Sequence, residues 1–319
     1  MTAHQDIWTF SEKSALGSEL IAGARSLAAH SGGMVAAIVL GAKSEAERAI
    51  AAGADKVYWL GEQAGSTMVE DYVPSIASVV QSEKPFGLLI GATKRGKAVA
   101  GRLGAALGAS VITDVKSFVP QGQELQATHM VFGGGAIRIE THTSEVMLAT
   151  VGSSMFEALT LDPARKGEIV EVKFVEPKWR LTLRERKVKP PSSVNLAAAK
   201  KVVCPGRGVS KQEDLAMIQD LAKVLEAEVG CTRPLAEGLD WLPRERYIGV
   251  SGAFIKPDLY LGVGVSGQVQ HTVGITDSRV VVAINKDKNA PIFAQADYGI
   301  VGDLYAIIPA LITVLKNRK

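Results

Sequence analysis

The sequence predicts an α/β fold in two domains, an N-terminal parallel-sheet domain with an added β segment and a C-terminal doubly wound parallel-sheet domain. Three observations predict it. Short β-branched runs alternate with amphipathic stretches in both halves of the chain, as in βαβ units. The length of 319 residues exceeds that of one ordinary domain of about 100–200 residues. Two prolines and two serines in residues 189–194 interrupt the alternation, which indicates a linker. We therefore expect domains over residues 1–191 and 192–319.

In the first domain, the apolar pattern predicts five strands separated by four helices. The predicted strands are residues 7–10, 35–40, 56–59, 87–90 and 111–114, and the predicted helices are residues 18–30, 45–52, 69–84 and 96–107. From about residue 124 to residue 186 the helical pattern fades, while residues 147–151 and 169–175 are typical of strands. This portion is the predicted β segment that completes the domain.

In the second domain, strands are predicted at residues 201–204, 227–230, 259–265 and 279–284, and helices at residues 212–226 and 304–315. Ligands of open parallel sheets bind beyond the carboxyl ends of the strands. Arg207 and Arg233 follow two of these strands among glycines and hydroxyls, a combination that suits a pyrophosphate. Asn285 and Asp303 are candidates for ribose or adenine contacts. The spacing predicts a nucleotide-cofactor site.

Charge and composition exclude other classes of protein. There are 36 Lys and Arg against 33 Asp and Glu, a balance that does not predict a nucleic-acid partner. No apolar run approaches the ~20 residues of a membrane span, and residues 1–10 lack the pattern of a signal peptide, so we expect a cytoplasmic protein. Cys204 and Cys231 fit neither a redox pair nor a zinc motif. We expect two buried free thiols and no metal site.

Two glycine motifs leave alternatives open. Residues 91–97 fit the phosphate-binding pattern GxxxxGK, but Ala98 stands where a hydroxyl is needed for Mg²⁺. This favours a plain strand-to-helix turn over a nucleotide-hydrolysing module. Residues 262–267 fit GxGxxG and are followed by Asp287, as in nicotinamide-dependent oxidoreductases. Since Gly262 and Gly264 fall inside the predicted strand, they more simply let another backbone or a ring approach it.

No acid–base constellation accompanies His271, the one histidine of the second domain. We therefore predict no bond-making catalysis. For His271 the better interpretation is a polar contact to a bound ring.

Several segments together resemble the alpha subunit of electron transfer flavoproteins. They are residues 206–208, 231–233, 259–274, 282–287, 290–293 and 296–303. In outline, the length and the two-part layout of the whole chain are also similar to that family. Within it, the sequence looks most like the bacterial branch linked to fatty acid or carnitine metabolism and to nitrogen fixation.

The resemblance implies an electron carrier that binds FAD and forms a heterodimer with a beta subunit. The implied redox partners are an acyl-CoA-type dehydrogenase and a quinone-linked oxidoreductase. Arg233 is expected over the isoalloxazine, Ser251 near its N5 edge and His271 near its N1/O2 edge. The implied FAD-binding residues are Arg207, Thr232, Arg233, Gly249, Val250, Ser251, Gly252, Ser266, Gly267, Gln268, Val269, Gln270, His271, Asn285, Asp303 and Leu304.

Three of these positions depart from the commoner family pattern. Thr232 stands where serine is usual and Ser251 where threonine is usual, so both keep a hydroxyl. Val250 replaces a frequent glutamine, which removes one possible hydrogen bond to the flavin.

Overall fold

The computed structural model describes residues 5–121, 124–185 and 195–317. The chain divides into two compact units, the first formed by Met1–Val131 with Ile137–Lys187 and the second by Phe132–Ala136 with Val188–Lys319. The predicted boundary between residues 191 and 192 lies outside the described residues and stays a prediction. Assignment of the short segment Phe132–Ala136 to the second unit was not expected from the sequence.

The first unit contains one nine-stranded sheet in the order β7-β6-β5-β8-β4-β1-β2-β3-β9. Its strands are β1 Ile7–Phe10, β2 Val35–Val39, β3 Lys56–Trp59, β4 Gly87–Gly91, β5 Val111–Gln121, β6 Glu124–Val131, β7 Ala136–Glu140, β8 Met147–Val151 and β9 Glu168–Glu171. In the order of the sheet, every pair of neighbours from β5 through β8, β4, β1, β2 and β3 to β9 is parallel, whereas β5 and β6 pair antiparallel. The predicted β segment is therefore part of the same sheet, and β5 extends to Gln121, beyond the strand predicted at residues 111–114.

Four α-helices cover the two faces of this sheet. They are α1 Ser14–Ser31, α2 Lys43–Ala51, α3 Val73–Glu83 and α4 Lys94–Leu107, with a 3-10 turn at Val69–Tyr72. A further 3-10 turn, Phe132–Gly134, belongs to the second unit. Helices α1 and α2 pack into one core with Leu20 and Ile50, and α3 and α4 pack into the other with Ile76 and Leu103. The single helix predicted over residues 69–84 is wrong in its first turn, because Pro74 is tolerated only at the start of an α-helix.

The second unit contains a five-stranded sheet in the order β11-β10-β12-β13-β14, with every pair parallel. Its strands are β10 Lys201–Pro205, β11 Glu228–Val229, β12 Leu259–Val263, β13 Val281–Asn285 and β14 Tyr298–Val301. Its helices are α5 Leu215–Leu225, α6 Arg233–Ala236, α7 Val269–Thr272 and α8 Leu304–Lys316, with 3-10 turns at Leu196–Ala198, Gln212–Asp214, Arg244–Arg246, Val273–Ile275 and Pro291–Ala294. This is a doubly wound order, as predicted.

Both faces of the second sheet are covered by apolar side chains. On one face, Ile218 of α5 and Ile308 of α8 are fully buried. On the other face, Ile248 and Ile292 are fully buried in connections between strands. Each such side chain contributes about 1.5–3 kcal/mol of burial free energy. The carboxyl ends of the strands are therefore held in fixed positions by two packed layers.

Cys204 and Cys231 are free and buried, which confirms the prediction for both thiols.

Within the three described ranges, no helix combines the length and the apolar character that a membrane crossing requires.

Candidate functional site

The order of the second sheet reverses between β10 and β12, and the loops that follow these two strands lie against each other. Gly206 N donates to Val263 O at 2.8 Å, and Gly208 N donates to Gly264 O at 2.9 Å. Gly264 has a φ of 64°, and a β-carbon there would lie 2.8 Å from Gly208 Cα. Gly262 lies inside β12 as expected, but Gly264 lies just beyond its end. The close approach of another backbone, which the sequence predicted, occurs at Gly264.

The loop after β12 leads into α7 and contains Ser266, Gly267 and Gln268. Gly267 has a φ of 87°, and a β-carbon on it would come within 2.2 Å of Ile292 N. Ile292 N in turn donates to Ser266 O at 3.0 Å. Asn285 Nδ2 donates to Val265 O at 2.8 Å, so this amide supports the loop from the end of β13.

Thr232 and Arg233 follow β11 and begin the short helix α6. Thr232 is 8% exposed, and its Oγ1 has no hydrogen-bond partner in the described part of the chain. The side chain of Arg233 is 62% exposed, and its Nε lies 2.7 Å from Glu237 Oε2. Arg244 Nε lies 3.0 Å from the other oxygen of the same carboxylate. The hydrogen bond from Arg233 holds the pKa of Glu237 below its ordinary value.

Gly249, Val250, Ser251 and Gly252 form a loop that is bonded to α7. Val250 N donates to Gln270 O at 2.8 Å. Gly249 has a φ of 140°, and a β-carbon there would lie 2.4 Å from the same carbonyl oxygen. Val250 and Ser251 are exposed. The structure thus joins this loop to the segment from Ser266 to His271, two predicted site segments that are separated in sequence.

His271 lies beneath these loops with a side chain that points into the protein. Its Nε2 lies 2.7 Å from the Tyr260 hydroxyl and its Nδ1 lies 3.0 Å from Ile248 O. Burial lowers the pKa of His271 to about 4, although the bond to Ile248 acts in the opposite direction. Both ring nitrogens therefore have protein partners, so this geometry gives no support to the predicted polar contact with a bound ring.

Three further predicted residues lie at the same edge of the sheet. Arg207 is exposed in the loop after β10. Asp303 Oδ1 accepts from Tyr305 N at 3.0 Å and caps α8, while Leu304 is buried in the core beneath. Tyr305 is a residue of this edge that was not expected from the sequence. Its hydroxyl accepts from Ser210 N at 2.9 Å and so links the loop after β10 to the start of α8.

The GxxxxGK segment of the first unit forms the plain turn that the sequence favoured. The Thr93 side chain caps α4 by accepting from Gly96 N at 2.8 Å. Lys97 Nζ lies 2.7 Å from the Asp114 carboxylate, so its charge is paired within the protein. Across the described ranges, no group of three His, Cys, Asp or Glu residues is placed to hold a metal ion.

The edge formed by the loops after β10 to β14 fits an anionic dinucleotide such as FAD. Arg207 and Arg233 present exposed guanidinium groups, which bind phosphate and other oxygens well. The buried Thr232 hydroxyl has no protein partner, and buried polar groups in native proteins generally have one. A ligand atom that forms a hydrogen bond with this hydroxyl would supply the partner that the protein does not provide.

Comparisons with known proteins agree with this interpretation. Residues 195–276 match the family model described as the electron transfer flavoprotein FAD-binding domain, and residues 12–177 match the electron transfer flavoprotein domain. The chain is 42% identical to the putative electron transfer flavoprotein subunit YdiR of Escherichia coli K12, over 99% of this chain and 100% of that protein. It is 39% identical to protein FixB of Escherichia coli O157:H7 and of Shigella flexneri, with the same coverage.

These matches leave the nicotinamide-dependent alternative without support. They also imply a beta-subunit partner and redox partners, since the matched family consists of electron transfer subunits rather than catalytic enzymes. The chain belongs to the electron transfer flavoprotein family, as an FAD-binding alpha subunit of the bacterial type.

Proposed function

We propose that FAD binds along the carboxyl edge of the second sheet, held by the residues that the sequence singled out there. The observation that carries this proposal is the buried, unpartnered hydroxyl of Thr232, which lies in one of the loops that follow the parallel strands of this sheet. Loops after five parallel strands converge there, which is the usual binding edge of a doubly wound sheet. FAD supplies reversible uptake and release of electrons, and its reduced forms carry added negative charge.

The phosphate groups of FAD are expected beside Arg207 and the glycine-rich loops after β10 and β12. Glycine lets these two loops pack against each other without side chains between them, and the N–H groups of Gly206, Gly208 and Gly264 are used in backbone hydrogen bonds. The phosphate contact is therefore expected mainly from the Arg207 side chain. Arg207 adds a guanidinium that can donate two parallel hydrogen bonds. Asn285 supports the loop after β12 through its hydrogen bond to Val265 O.

Arg233 is the proposed cation beside the redox-active ring. Its exposed side chain extends from the first turn of α6 and is held by Glu237. A fixed positive charge near a group that gains negative charge favours the reduced form. Because His271 is neutral near pH 7 in this structure, this role falls to Arg233.

We further propose that the chain forms a heterodimer with a beta subunit in the cytoplasm. An acyl-CoA-type dehydrogenase is the proposed electron donor, and a quinone-linked oxidoreductase is the proposed acceptor. This assignment follows the resemblance to the branch linked to fatty acid or carnitine metabolism.

Replacement of Arg233 tests the proposed site. We expect Arg233→Ala to lower the midpoint potential of the bound flavin, because the reduced form loses its neighbouring cation. We also expect weaker FAD binding, because the proposed contact between this side chain and FAD is lost. Spectroscopic reduction of the alpha–beta complex against a reference dye measures the potential. The matched control is Arg244→Ala, which removes a similarly exposed arginine from the same carboxylate of Glu237.

The two variants separate the proposed role from a general effect of charge. A drop in potential that is larger for Arg233→Ala than for Arg244→Ala supports the proposal. Equal potentials and equal FAD affinities in wild type and Arg233→Ala would refute it.

A further inference from the structure

A cluster of three buried side chains lies beneath the proposed FAD loops, and the proposed function does not yet use it. Cys204 of β10 and Tyr260 of β12 are fully buried, and His271 of α7 is 6% exposed. Tyr260 and His271 are joined by the hydroxyl-to-Nε2 contact of 2.7 Å, and Cys204 Sγ lies 3.9 Å from the same nitrogen. Such a buried polar cluster needs its hydrogen atoms in a definite arrangement.

The partners of His271 determine that arrangement. Ile248 O can only accept, so the hydrogen of the ring must be on Nδ1. In a neutral ring Nε2 then carries no hydrogen, and the Tyr260 hydroxyl must donate to it. Burial keeps the ring neutral and also raises the pKa values of Tyr260 and Cys204, so both neighbours keep their protons.

This ring connects three segments of the second unit. Tyr260 lies in β12, His271 lies in α7, and Ile248 immediately precedes the loop from Gly249 to Gly252. The same loop is bonded to α7 a second time through Val250 N and Gln270 O at 2.8 Å. A rigid strand thereby orients both segments that are expected to contact the flavin ring.

We propose that Tyr260 is a positioning residue of the FAD site, which acts by holding His271 as a neutral ring with its hydrogen on Nδ1. Through that ring, Tyr260 fixes the loop from Gly249 to Gly252 against α7. This inference rests on the proposed function, because the two segments that it aligns are proposed FAD contacts. His271 is accordingly a structural bridge beneath the flavin.

The test is carried out on the full alpha chain in complex with its beta subunit, labelled with ¹⁵N-histidine. In the wild type, the ¹⁵N signals of His271 should report a neutral ring protonated on Nδ1 at pH 7, and they should not titrate near the ordinary histidine pKa. A His271→Asn sample serves only to assign these signals. A wild-type ring that is protonated on Nε2, or that titrates as an ordinary histidine, would overturn the proposal.

The variant Tyr260→Phe removes the hydroxyl and keeps the ring. We expect the proton affinity of His271 to rise about 3- to 10-fold and the dissociation constant of FAD to rise about 3- to 10-fold, as for the loss of one buried hydrogen bond. The matched control is Tyr58→Phe, which removes a phenol hydroxyl from a buried residue of the first unit and should change neither value.

Unchanged His271 signals and FAD affinity in Tyr260→Phe would contradict the proposal. If Tyr260→Phe does not fold, the wild-type signals still decide the matter. Failure of the proposed function would show separately, as absence of FAD from the wild-type complex, whereas the ¹⁵N signals of His271 report its ring in either case.

Discussion

At the scale of single residues, Thr232 carries the structural observation that points most directly to a bound ligand. Its hydroxyl is buried at the start of α6 and has no partner among the described residues. A buried hydroxyl without a partner costs about 1–3 kcal/mol relative to a paired one. Threonine at this position therefore lowers the stability of the ligand-free protein, and FAD is expected to recover that loss.

Thr232→Val tests this interpretation, because valine has a similar shape and no hydroxyl. Without FAD, we expect the free energy of unfolding to stay equal or rise by about 1 kcal/mol. The dissociation constant of FAD should rise about 3- to 10-fold. Chemical denaturation and fluorescence titration measure the two quantities. Thr232→Ser keeps the hydroxyl and should lose less affinity than Thr232→Val, and a valine variant that binds FAD as tightly as wild type would contradict the assignment.

At the scale of secondary-structure elements, Asp55 joins three parts of the first unit. Its carboxylate accepts from Val35 N at the start of β2 at 3.0 Å, and it is paired with Arg25 of α1 and, at 2.8 Å, with Arg165. Burial alone would raise the pKa of Asp55, but these hydrogen bonds and charges outweigh it and lower the pKa. The carboxylate therefore stabilises the fold in its ionised form.

The sign of the pH dependence follows from this lowered pKa. The stabilisation by Asp55 is present above the pKa of the unfolded chain and is lost as the pH falls through the folded pKa. We expect Asp55→Asn to lower the free energy of unfolding at pH 7 by about 1–3 kcal/mol and to lower it much less near pH 3. Urea denaturation at the two pH values measures the difference. As a control, Asp258→Asn affects an exposed pair whose atoms are 4.0 Å apart and should have little effect.

The loop after β12 depends on a glycine at position 267. Gly267→Ala places a β-carbon 2.2 Å from Ile292 N and also puts alanine at a φ of 87°. We expect a loss of more than about 2 kcal/mol in the free energy of unfolding, together with weaker FAD binding, because the loop must move.

Gly61→Ala is the matched control, since its φ of 80° imposes a comparable strain but no atom lies within 4 Å of the new carbon. Denaturation curves and FAD titrations of both variants separate strain from steric clash. Equal losses of stability would show that the contact with Ile292 is unimportant.

The elements that the sequence predicted well are those with a strong burial pattern. Strands such as β4 and β8 are fully buried, so β-branched and aliphatic residues dominate them. Strand β14 was missed because its four residues are all exposed and include Gly299. Helices α6 and α7 span only four residues each, too few to show a helical period.

The candidate site was predictable in position but less so in detail. The residues after parallel strands could be named because the carboxyl ends of such strands share one edge of the sheet. The inward contacts of His271 and Asn285 were not predictable, because Tyr260, Ile248 and Val265 reach them only through tertiary packing. Hydrogen-bond partners of this kind leave no periodic signal in a sequence.

At the scale of the whole molecule, each unit has its own sheet and its own pair of apolar cores. The proposed FAD contacts all belong to the second unit. The family assignment covers both units, since one matched model lies in each of them. The family is therefore assigned to the whole chain, whereas the flavin is proposed to bind at the second sheet.

The most direct test of the proposed FAD site is the amount of flavin bound per alpha chain, measured by visible absorption of the full chain co-purified with its beta subunit. Wild type and Gly267→Ala are compared, each before and after incubation with added FAD. We expect at least one FAD per alpha chain in wild type and a loss of about one in Gly267→Ala. A wild-type complex that is colourless and takes up no FAD, or a variant that retains all of its flavin with unchanged affinity, would contradict the placement of FAD at the carboxyl edge of the second sheet.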